Sequence, residues 1–281
     1  VNNRVNWGVG SEHVQKNSAR PGMEPDDGSK AEAGEHAAET DLYCSFDGDA
    51  DRVVFWEGSV SAAFKVYDGS RLSCLYALRL RPLCERFGLS FGVVQTAYAN
   101  GASTEWLVGR GVDVATVKTG VMYLHDKAGD WDVGVYFEAN GHGSVRFSDE
   151  AKKKLPAEAA AFNEYTGCAW CGALYTLVCL QDHRWEDVGY TEVDCRTVKV
   201  AVLDKAVLKT NDNETRLLQP FALQRRIDEA VGKVGGGRAF VRASNTEDVV
   251  RIYAEARAGL DGLIQDLVAA VEQSCGAKSK L

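Results

Sequence analysis

Short runs of β-branched and aromatic residues alternate with amphipathic stretches, and this alternation limits the folds open to the chain. From residue 42 to residue 139 the strand-like runs are YCSFD, VVFWEG, FGVVQT, VDVATV and VGVYFEA, with helix-like stretches at 70–87 and 120–129. Such alternation is typical of α/β units around a mixed or parallel sheet. We therefore predict an α/β fold.

The same kind of pattern starts again after about residue 190. It comprises VKVAVL at 198–203, a helix-like 220–234, AFVRA at 239–243, VVRIYAEA at 249–256 and a closing helix at about 259–275. In the last of these strands Arg251, Tyr253 and Glu255 alternate with apolar residues, which predicts an antiparallel sheet with one face in water. This restart predicts a smaller α+β domain and a boundary near 185–190. Residues 17–41 lack apolar periodicity and predict a long loop.

Charge and composition restrict the partners. With 40 acidic and 32 basic residues the chain has a formal net charge of −8, which would repel a nucleic-acid backbone. No window approaches the ~18 consecutive apolar residues of a membrane helix, and the first residues do not resemble a secretory signal. We expect a cytoplasmic, globular protein with no membrane or nucleic-acid partner, whose eight cysteines are reduced.

An acidic loop, DGDADR, carries the sharpest chemical signal. Asp47, Asp49 and Asp51 occupy alternate positions around Gly48, between two apolar runs. Alternating carboxylates share a face and can converge on a hard cation, for which magnesium is the natural candidate. Arg52 can neutralise the acids or reach a substrate phosphate.

Other interpretations of the acidic loop are a solvated turn and a phosphatase of the haloacid-dehalogenase type. In that phosphatase Asp47 would be the nucleophile that attacks phosphorus. An EF-hand is excluded because the twelfth position of such a loop is not glutamate. The third acid and the arginine favour a metal site.

A second polar segment, EANGHG, follows the run VGVYFEA. Glu138, Asn140 and His142 display a carboxylate, an amide and an imidazole within five residues, a set suited to sugar hydroxyls; a polar hairpin turn is the alternative. Upstream, Lys118 precedes a helix-like stretch that contains His125. Both suit an anion or proton transfer, although a lone helical histidine is more often structural.

A third polar segment, RASNTED, predicts a phosphate clamp, because two arginines flank a turn rich in hydroxyl and amide groups. A generic polar turn is the alternative, but it does not explain arginines on both sides. The candidates for anion binding are Arg242, Ser244, Asn245, Thr246 and Arg251.

The pair Cys168 and Cys171 has a spacing that can hold zinc or carry redox chemistry. No second CxxC pair is present in the sequence, so we predict buried reduced thiols instead.

Taken together, these segments resemble the α-D-phosphohexomutases. The matching stretches are CSFDGDADRVVF, GVVQTAYANGAST, VKTGVMYLHDKA, DVGVYFEANGHGSVRFS and AFVRASNTEDVVRIYAEA. They cover most of residues 42–150 and 238–256 in the family order, whereas 151–197 match poorly. The segments GVVQTAYANG and FEANGHG are much closer to the acetylglucosamine branch than to the glucose or mannose mutases.

The resemblance implies a fold and a reaction. It predicts part of a metal-loop domain at 1–68, a sugar-binding domain at 69–189 and a phosphate-binding domain at 190–281. The implied activity interconverts N-acetylglucosamine 6-phosphate and N-acetylglucosamine 1-phosphate, through a bisphosphate, in UDP-N-acetylglucosamine synthesis.

The implied site follows the family motifs. Magnesium would be held by the three aspartates, and sugar hydroxyls by Glu138 and Asn140. The phosphate that is not transferred would be bound by Arg242, Ser244, Thr246 and Arg251. Lys118, His125 and His142 would be substrate-side residues.

The sequence departs from the family pattern in two respects. No serine is followed by His-Asn-Pro, the family's active-serine context, so we expect the catalytic serine to be missing and the chain alone to be inactive. In the phosphate loop Ala243 replaces proline and Asn245 replaces glycine, so a less preorganised turn is expected. The alternative function is a non-catalytic phosphosugar-binding protein.

Overall fold

The computed structural model describes residues 10–18, 21, 41–58, 64–162, 167–244 and 247–277. The predicted loop at 17–41 falls almost wholly outside them, as do Asn245 and Thr246. The helices are α1 Ser11–Asn17, α2 Gly69–Phe87, α3 Gly101–Gly109, α4 Val121–Ala128, α5 Asp149–Lys154, α6 Pro156–Ala160, α7 Ala169–Asp182, α8 Phe221–Gly232 and α9 Leu260–Cys275. The strands are β1 Leu42–Phe46, β2 Val53–Glu57, β3 Lys65–Tyr67, β4 Phe91–Thr96, β5 Asp113–Val117, β6 Val133–Phe137, β7 Gly143–Phe147, β8 Cys195–Ala201, β9 Lys209–Thr210, β10 Leu217–Gln219, β11 Arg238–Ala243 and β12 Val249–Glu255.

Contacts divide the chain into two compact units. The first contains the described residues up to Gln95, with Leu107–Ala115 and Gly120–Gly189. The second contains Thr96–Trp106, Thr116–Thr119 and the described residues from Tyr190 onward. The α/β fold class predicted from the sequence is confirmed, whereas the division into three domains stays a prediction.

In the first unit an antiparallel sheet of order β1-β2-β3 precedes a four-stranded sheet of order β5-β4-β6-β7. Strands β4 and β6 run parallel, and β6 and β7 run antiparallel. Every residue of β6 is buried, as expected for an apolar strand covered on both faces. The turns that follow β1 and β6 carry the predicted metal and sugar residues.

Helix α2 supplies a large part of this unit's core. Asp68 caps it by accepting hydrogen bonds from the amides of Ser70 and Arg71, and Gly88 ends it with φ 64°, as helix-terminal residues of these types do. Its buried face includes Tyr76, whose ring lies edge-on to Phe137 with centroids 5.4 Å apart. The helix thereby packs against the end of β6, just before the predicted sugar residues.

In the second unit, β12 lies between β11 and β8 in an antiparallel sheet. Helices α8 and α9 cover one face with a core that includes Leu223, Ile227, Val241, Ile252 and Leu267. The antiparallel pairing of the last strand agrees with the sequence prediction.

The predicted wet face of β12 is wrong at two positions, because Tyr253 and Glu255 are each 3% exposed. The Glu255 carboxylate pairs with both Arg238 Nε (3.0 Å) and Arg238 Nη2 (3.1 Å), and it accepts from the Tyr253 hydroxyl at 2.7 Å and the Gly101 amide at 3.1 Å. These partners replace the water that an exposed glutamate would have. Within the described ranges, no helix combines the length and apolar character needed to cross a bilayer.

Candidate active site

The acidic loop connects β1 to β2 and is held by its own backbone. Asp47 Oδ1 accepts hydrogen bonds from the amides of Asp51 (3.1 Å) and Arg52 (3.0 Å). The Asp47 carbonyl accepts from the Ala50 amide at 3.3 Å, and Ala50 has φ 56°. A left-handed alanine is strained, so this turn is fixed by its hydrogen bonds rather than by local preference.

The three predicted carboxylates converge. Asp47, Asp49 and Asp51 each offer an oxygen, and these oxygens all lie within 4.8 Å of one another. The pKa of Asp51 is raised by its burial and by the adjacent Asp47. Burial also acts to raise the pKa of Asp47, but the hydrogen bond from the Arg52 amide and further hydrogen bonds lower that pKa overall. Like charges this close need a counter-charge.

The loop fits a small divalent cation. Asp51 Oδ1 is buried and has no hydrogen-bond partner among the described residues, although Arg52 Nε lies 3.7 Å away. An unsatisfied buried carboxylate oxygen is costly. Oxygen donors of this kind are the ligands that magnesium prefers, so Asp47, Asp49 and Asp51 can hold it.

The acidic loop is joined directly to the predicted sugar loop. Arg52 and His142 form an isolated antiparallel bridge, and the Val53 amide donates to the Gly141 carbonyl at 3.3 Å. Gly141 has φ 89°, and a Cβ there would lie 2.1 Å from the Val53 carbonyl oxygen. Only glycine therefore permits this approach.

The two basic side chains at this junction face the acids. Arg52 Nε lies 3.4 Å from Asp47 Oδ2, and His142 Nε2 lies 3.5 Å from Asp51 Oδ2. The structure thus places Arg52 where the sequence analysis expected it. It places His142, predicted to contact substrate, against a metal-loop carboxylate.

The sugar loop turns between β6 and β7. The Glu138 amide donates to the His142 carbonyl at 2.8 Å, and Asn140 Oδ1 accepts from the His142 amide at 3.0 Å. Asn140 Nδ2 donates to Glu138 Oε2 at 3.3 Å, while Glu138 Oε1 accepts from the Gly120 amide at 3.0 Å. Glu138 and Asn140 are therefore pre-oriented and half-buried, as a reader of hydroxyl groups requires.

His125 lies on α4 and is half-buried, with Nδ1 3.1 Å from the Tyr136 hydroxyl on β6. Its orientation is fixed by a fully buried tyrosine, which suits either a structural or a proton-transferring histidine. Lys118 directly follows β5 and is exposed.

The phosphate-clamp candidates in the second unit lie on paired strands. Arg242 on β11 is directly opposite Arg251 on β12, and Arg251 is directly opposite Lys199 on β8. We call these three residues the cation row. Directly opposed residues share one face of a sheet, and like charges there repel. Glu247 offsets part of this repulsion, because its carboxylate accepts from Lys199 Nζ at 2.8 Å and from Arg251 Nη2 at 3.0 Å. Arg251 Nε is still a buried donor without a hydrogen-bond partner among the described residues.

Arg242 is buried at one end of the cation row. Its Nε donates to the Tyr98 hydroxyl at 3.0 Å and lies 3.5 Å from Glu214 Oε2. Glu214 Oε2 also accepts from the Thr119 amide (3.0 Å) and hydroxyl (2.7 Å). The carboxylate thus joins Arg242 to the residue that follows Lys118.

The turn between β11 and β12 is closed by the Ser244 amide, which donates to the Val249 carbonyl at 2.9 Å. Lys205 Nζ donates to the carbonyls of Ser244 (3.0 Å) and Glu247 (2.6 Å). Ser244 is buried. These contacts give the turn a fixed shape and place a further cation beside it.

The cysteine pair begins α7 and is only half-buried, which corrects the prediction of buried thiols. Cys168 is the N-cap residue, and its Sγ accepts a hydrogen bond from the Cys171 amide at 3.4 Å. A polar role as a helix cap keeps this thiol near the surface. The next residue, Ala169, donates its amide to the Ala50 carbonyl of the acidic loop at 2.9 Å.

Comparison with known proteins decides the family. The family model described as phosphoacetylglucosamine mutase AMG1, domain III, matches residues 68–206, including the stretch 151–197 whose motifs match the family poorly. The C-terminal domain model of phosphoglucomutase/phosphomannomutase matches residues 198–272. Phosphoacetylglucosamine mutase 1 of Schizosaccharomyces pombe is 43% identical over 239 residues, 76% of this chain and 46% of that protein.

This chain belongs to the phosphoacetylglucosamine mutase family. The human phosphoacetylglucosamine mutase is 40% identical over 261 residues, which cover 83% of this chain and 48% of the human protein. The chain spans about half the length of the curated relatives it matches.

Solved phosphoacetylglucosamine mutase structures share the fold. The Aspergillus fumigatus N-acetylphosphoglucosamine mutase, crystallised with GlcNAc-6P and magnesium, superposes with a TM-score of 0.86 at 33% identity, over 96% of this chain and 54% of that chain. An N-acetylglucosamine-phosphate mutase in its substrate complex gives a TM-score of 0.81 at 36% identity, over 95% of this chain and 53% of that chain.

Several residues that support the site were not found by sequence reasoning. They are Tyr98, Lys199, Lys205 and Glu214. Lys199 had a usable signal, because it is a polar residue in an otherwise apolar strand run. Glu214 had none, since its role depends on a positive φ of 59° and on partners distant in sequence.

Proposed function

We propose that this chain supplies the metal, sugar and phosphate residues of a phosphoacetylglucosamine mutase. The reaction is the interconversion of N-acetylglucosamine 6-phosphate and N-acetylglucosamine 1-phosphate by way of a bisphosphate, in UDP-N-acetylglucosamine synthesis. The observation that carries the proposal is the direct junction of the acidic loop and the sugar loop through Arg52–His142 pairing. That junction supports the proposal, because it makes the acidic loop and the sugar loop direct neighbours.

The acidic loop would hold magnesium through Asp47, Asp49 and Asp51. When bound, the ion would offset negative charge on the phosphoryl group in transfer. Arg52 lies against the same carboxylates and limits their mutual repulsion when the ion leaves. Asp47 is a poor candidate for a phosphatase nucleophile, because one of its oxygens accepts two backbone hydrogen bonds.

The sugar loop would orient the acetylhexosamine. Glu138 and Asn140 are already connected to each other and to the backbone, so little side-chain freedom is lost on binding. Glu138 would accept hydrogen bonds from sugar hydroxyls. His125 and Lys118 are proposed substrate-side residues, and His142 acts on the acidic loop through Asp51.

The second unit would bind the phosphate that is not transferred. Three cations share one face of a sheet, namely Arg242, Arg251 and Lys199. Ser244 lies at the start of the turn that follows β11. Asn245 and Thr246 stay predicted ligands outside the described residues. Arginine and lysine together can bind a phosphate by paired hydrogen bonds and by charge.

The phosphorylated serine is proposed to come from outside these 281 residues. None of the serines present precedes His-Asn-Pro, and Ser144, the serine next to the sugar loop, is buried within β7 opposite Tyr136. Positioning a phosphate without an acceptor hydroxyl lowers no barrier. The chain alone is therefore expected to bind phosphosugar without turnover.

Calorimetry of the chain with N-acetylglucosamine 6-phosphate and with inorganic phosphate, in magnesium, tests this assignment. Glu138→Ala should weaken sugar-phosphate binding by about tenfold or more, because the sugar hydroxyls lose their hydrogen-bond acceptor. Binding of inorganic phosphate, which has no sugar hydroxyls, should change little. Glu150→Ala, an exposed glutamate of α5, is the matched control. Equal losses for both ligands would count against a sugar-reading role.

A further inference from the structure

The cysteine pair at the start of α7 has the geometry of a reactive dithiol. Cys168 and Cys171 are separated by two residues and are both partly accessible. The Cys168 sulfur already accepts a hydrogen bond from the Cys171 amide at 3.4 Å. The two side chains therefore occupy the same side of the first helical turn.

The start of a 14-residue helix favours a thiolate, because the helix dipole and unpaired amides stabilise negative charge there. Burial acts to raise the pKa of Cys168, but hydrogen bonds from the Cys171 amide and thiol outweigh it, so that pKa is lowered. Burial raises the pKa of Cys74, Cys84 and Cys179. Those three thiols are expected to be inert by comparison.

Formation of a disulfide would tighten the first turn. Cys168 lies just outside the helix, with extended backbone dihedrals of φ −121° and ψ 106°, and a disulfide requires Cβ atoms about 3.5–4.5 Å apart. Closure therefore ties this N-cap residue covalently to the first turn. It also removes Cys168 Sγ from its place as acceptor for the Cys171 amide.

That turn is attached to the acidic loop at two points. The Ala169 amide donates to the carbonyl of Ala50, the left-handed residue between Asp49 and Asp51. The next residue, Trp170, packs on Phe46, with ring centroids 4.6 Å apart, and Phe46 directly precedes Asp47. A movement of Ala169 and Trp170 would therefore reach the acidic loop at Ala50 and at Phe46.

We propose that Cys168 and Cys171 form a redox-active pair whose oxidation to a disulfide loosens the acidic loop. With a glutathione-type disulfide as oxidant, Cys168 thiolate attacks one sulfur and expels one thiolate, leaving a mixed disulfide. Cys171, on losing its proton, attacks Cys168 Sγ and expels the second thiolate. One S–S bond forms in the protein, the oxidant's S–S bond is reduced to two thiols, and two electrons move from the pair to the oxidant.

Peptide mass mapping after timed exposure of the whole chain to oxidised glutathione tests the pair. The 168–171 disulfide should form about tenfold faster than any adduct at Cys44 or Cys195, because thiolate character sets the rate; both of those residues are exposed. Cys171→Ser should stop at a glutathione adduct on Cys168. Cys168→Ser, which keeps a capping oxygen, should slow modification of Cys171 to the rate of the exposed controls. Adducts on Cys44 or Cys195 with 168–171 still reduced would overturn the proposal.

Hydrogen exchange of the oxidised and reduced chain tests the coupling. Amides of the segment 47–52 should exchange about threefold or more faster after oxidation, since local opening governs their protection, whereas those of α9 should not change. A disulfide with unchanged exchange in the loop would overturn the coupling. The coupling between the cysteine pair and the acidic loop rests on the proposed function only in that this loop is the proposed metal site. Neither the mass mapping nor the hydrogen exchange requires metal or substrate binding. A chain that binds no magnesium would therefore refute the proposed function without deciding the redox pair.

Discussion

The acidic and sugar loops of the first unit differ from the cation row of the second in how their polar side chains are positioned. In the loops, part of this positioning is local, as when the amides of Asp51 and Arg52 hold Asp47. In the cation row, the register of three strands sets Arg242, Arg251 and Lys199 side by side. Carboxylates then pair with these cations, Glu247 with both Arg251 and Lys199 and Glu214 with Arg242.

In the acidic loop, a substitution can change binding without changing stability. In the sheet of the cation row, a substitution is expected to change both. Asp49 is exposed at the tip of its turn, so it can be changed without disturbing the core. The register of the cation row depends on β12, which carries the buried Glu255 at its end. A change in the sheet's buried polar groups should therefore lower stability as well as binding, whereas a change at the loop tip should affect binding alone.

The largest effect is expected from Glu255→Gln. It leaves Arg238, whose side chain is 37% exposed, without its charged partner, which should lower the free energy of unfolding by about 1.5–3 kcal/mol. Glu272→Gln, the same change at an exposed position on α9, is the control, and urea denaturation is the measurement. Equal stability of the two variants would show that the ion pair does not hold the sheet.

The same carboxylate predicts an acid sensitivity. Burial acts to raise the pKa of Glu255, but pairing with Arg238 outweighs burial and lowers that pKa overall. A lowered folded-state pKa stabilises the fold fully above the ordinary value of 4.5, and that stability is lost as the pH falls below it. The free energy of unfolding should decline over this acid range in the wild type and much less in Glu255→Gln. Parallel declines would contradict the prediction.

Asp49→Asn should reduce magnesium affinity by about tenfold to a hundredfold, because one of three converging charges is lost, and should abolish most magnesium-dependent function of the complete enzyme. Stability should change by less than about 0.5 kcal/mol, as at other exposed positions. Calorimetry and thermal unfolding measure the two quantities, with Asp149→Asn, whose side chain is 95% exposed, as control. Unchanged magnesium affinity in Asp49→Asn would show that the acidic loop is not the magnesium site.

Lys199→Ala should weaken phosphosugar binding by about threefold to tenfold, since it removes one charged donor from the cation row. The exposed Lys209→Ala on β9 should have no comparable effect. Titration at low and high salt distinguishes a direct contact from general charge, because long-range attraction is screened. Identical losses of phosphosugar affinity in both variants would mean that the position of Lys199 beside Arg251 gives it no special role in binding.

The smallest effect concerns the phosphate turn. The Ser244 amide bonds to Val249, so the pair Ala243–Val250 lacks ladder hydrogen bonds and the Ala243 amide points away from β12. Since β11 is an edge strand, Ala243→Pro costs no ladder bond. It should tighten phosphosugar binding by up to about 1 kcal/mol through a stiffer turn, alone or with Asn245→Gly. Weaker binding would show that the turn already has the required shape.

Sequence reasoning reached the loops more easily than the cation row for the same physical reason. The spacing of Asp47, Asp49 and Asp51 is itself the geometry of the loop, so their convergence could be predicted. The pairing of Lys199 with Arg251 spans the fold, and no local pattern encodes it. The alternation in β12 predicted strand pairing correctly but not the burial of Glu255, which depends on Arg238 and Gly101.

The most direct test is a coupled assay for N-acetylglucosamine 1-phosphate formation from the 6-phosphate, with magnesium and a sugar bisphosphate. The purified chain is assayed alone and with a separately produced serine-loop domain from a phosphoacetylglucosamine mutase relative. We expect no turnover by the chain alone, turnover in the mixture, and loss of that turnover in Asp49→Asn. Sustained turnover by the chain alone, abolished by mutation of one serine within these 281 residues, would contradict this expectation.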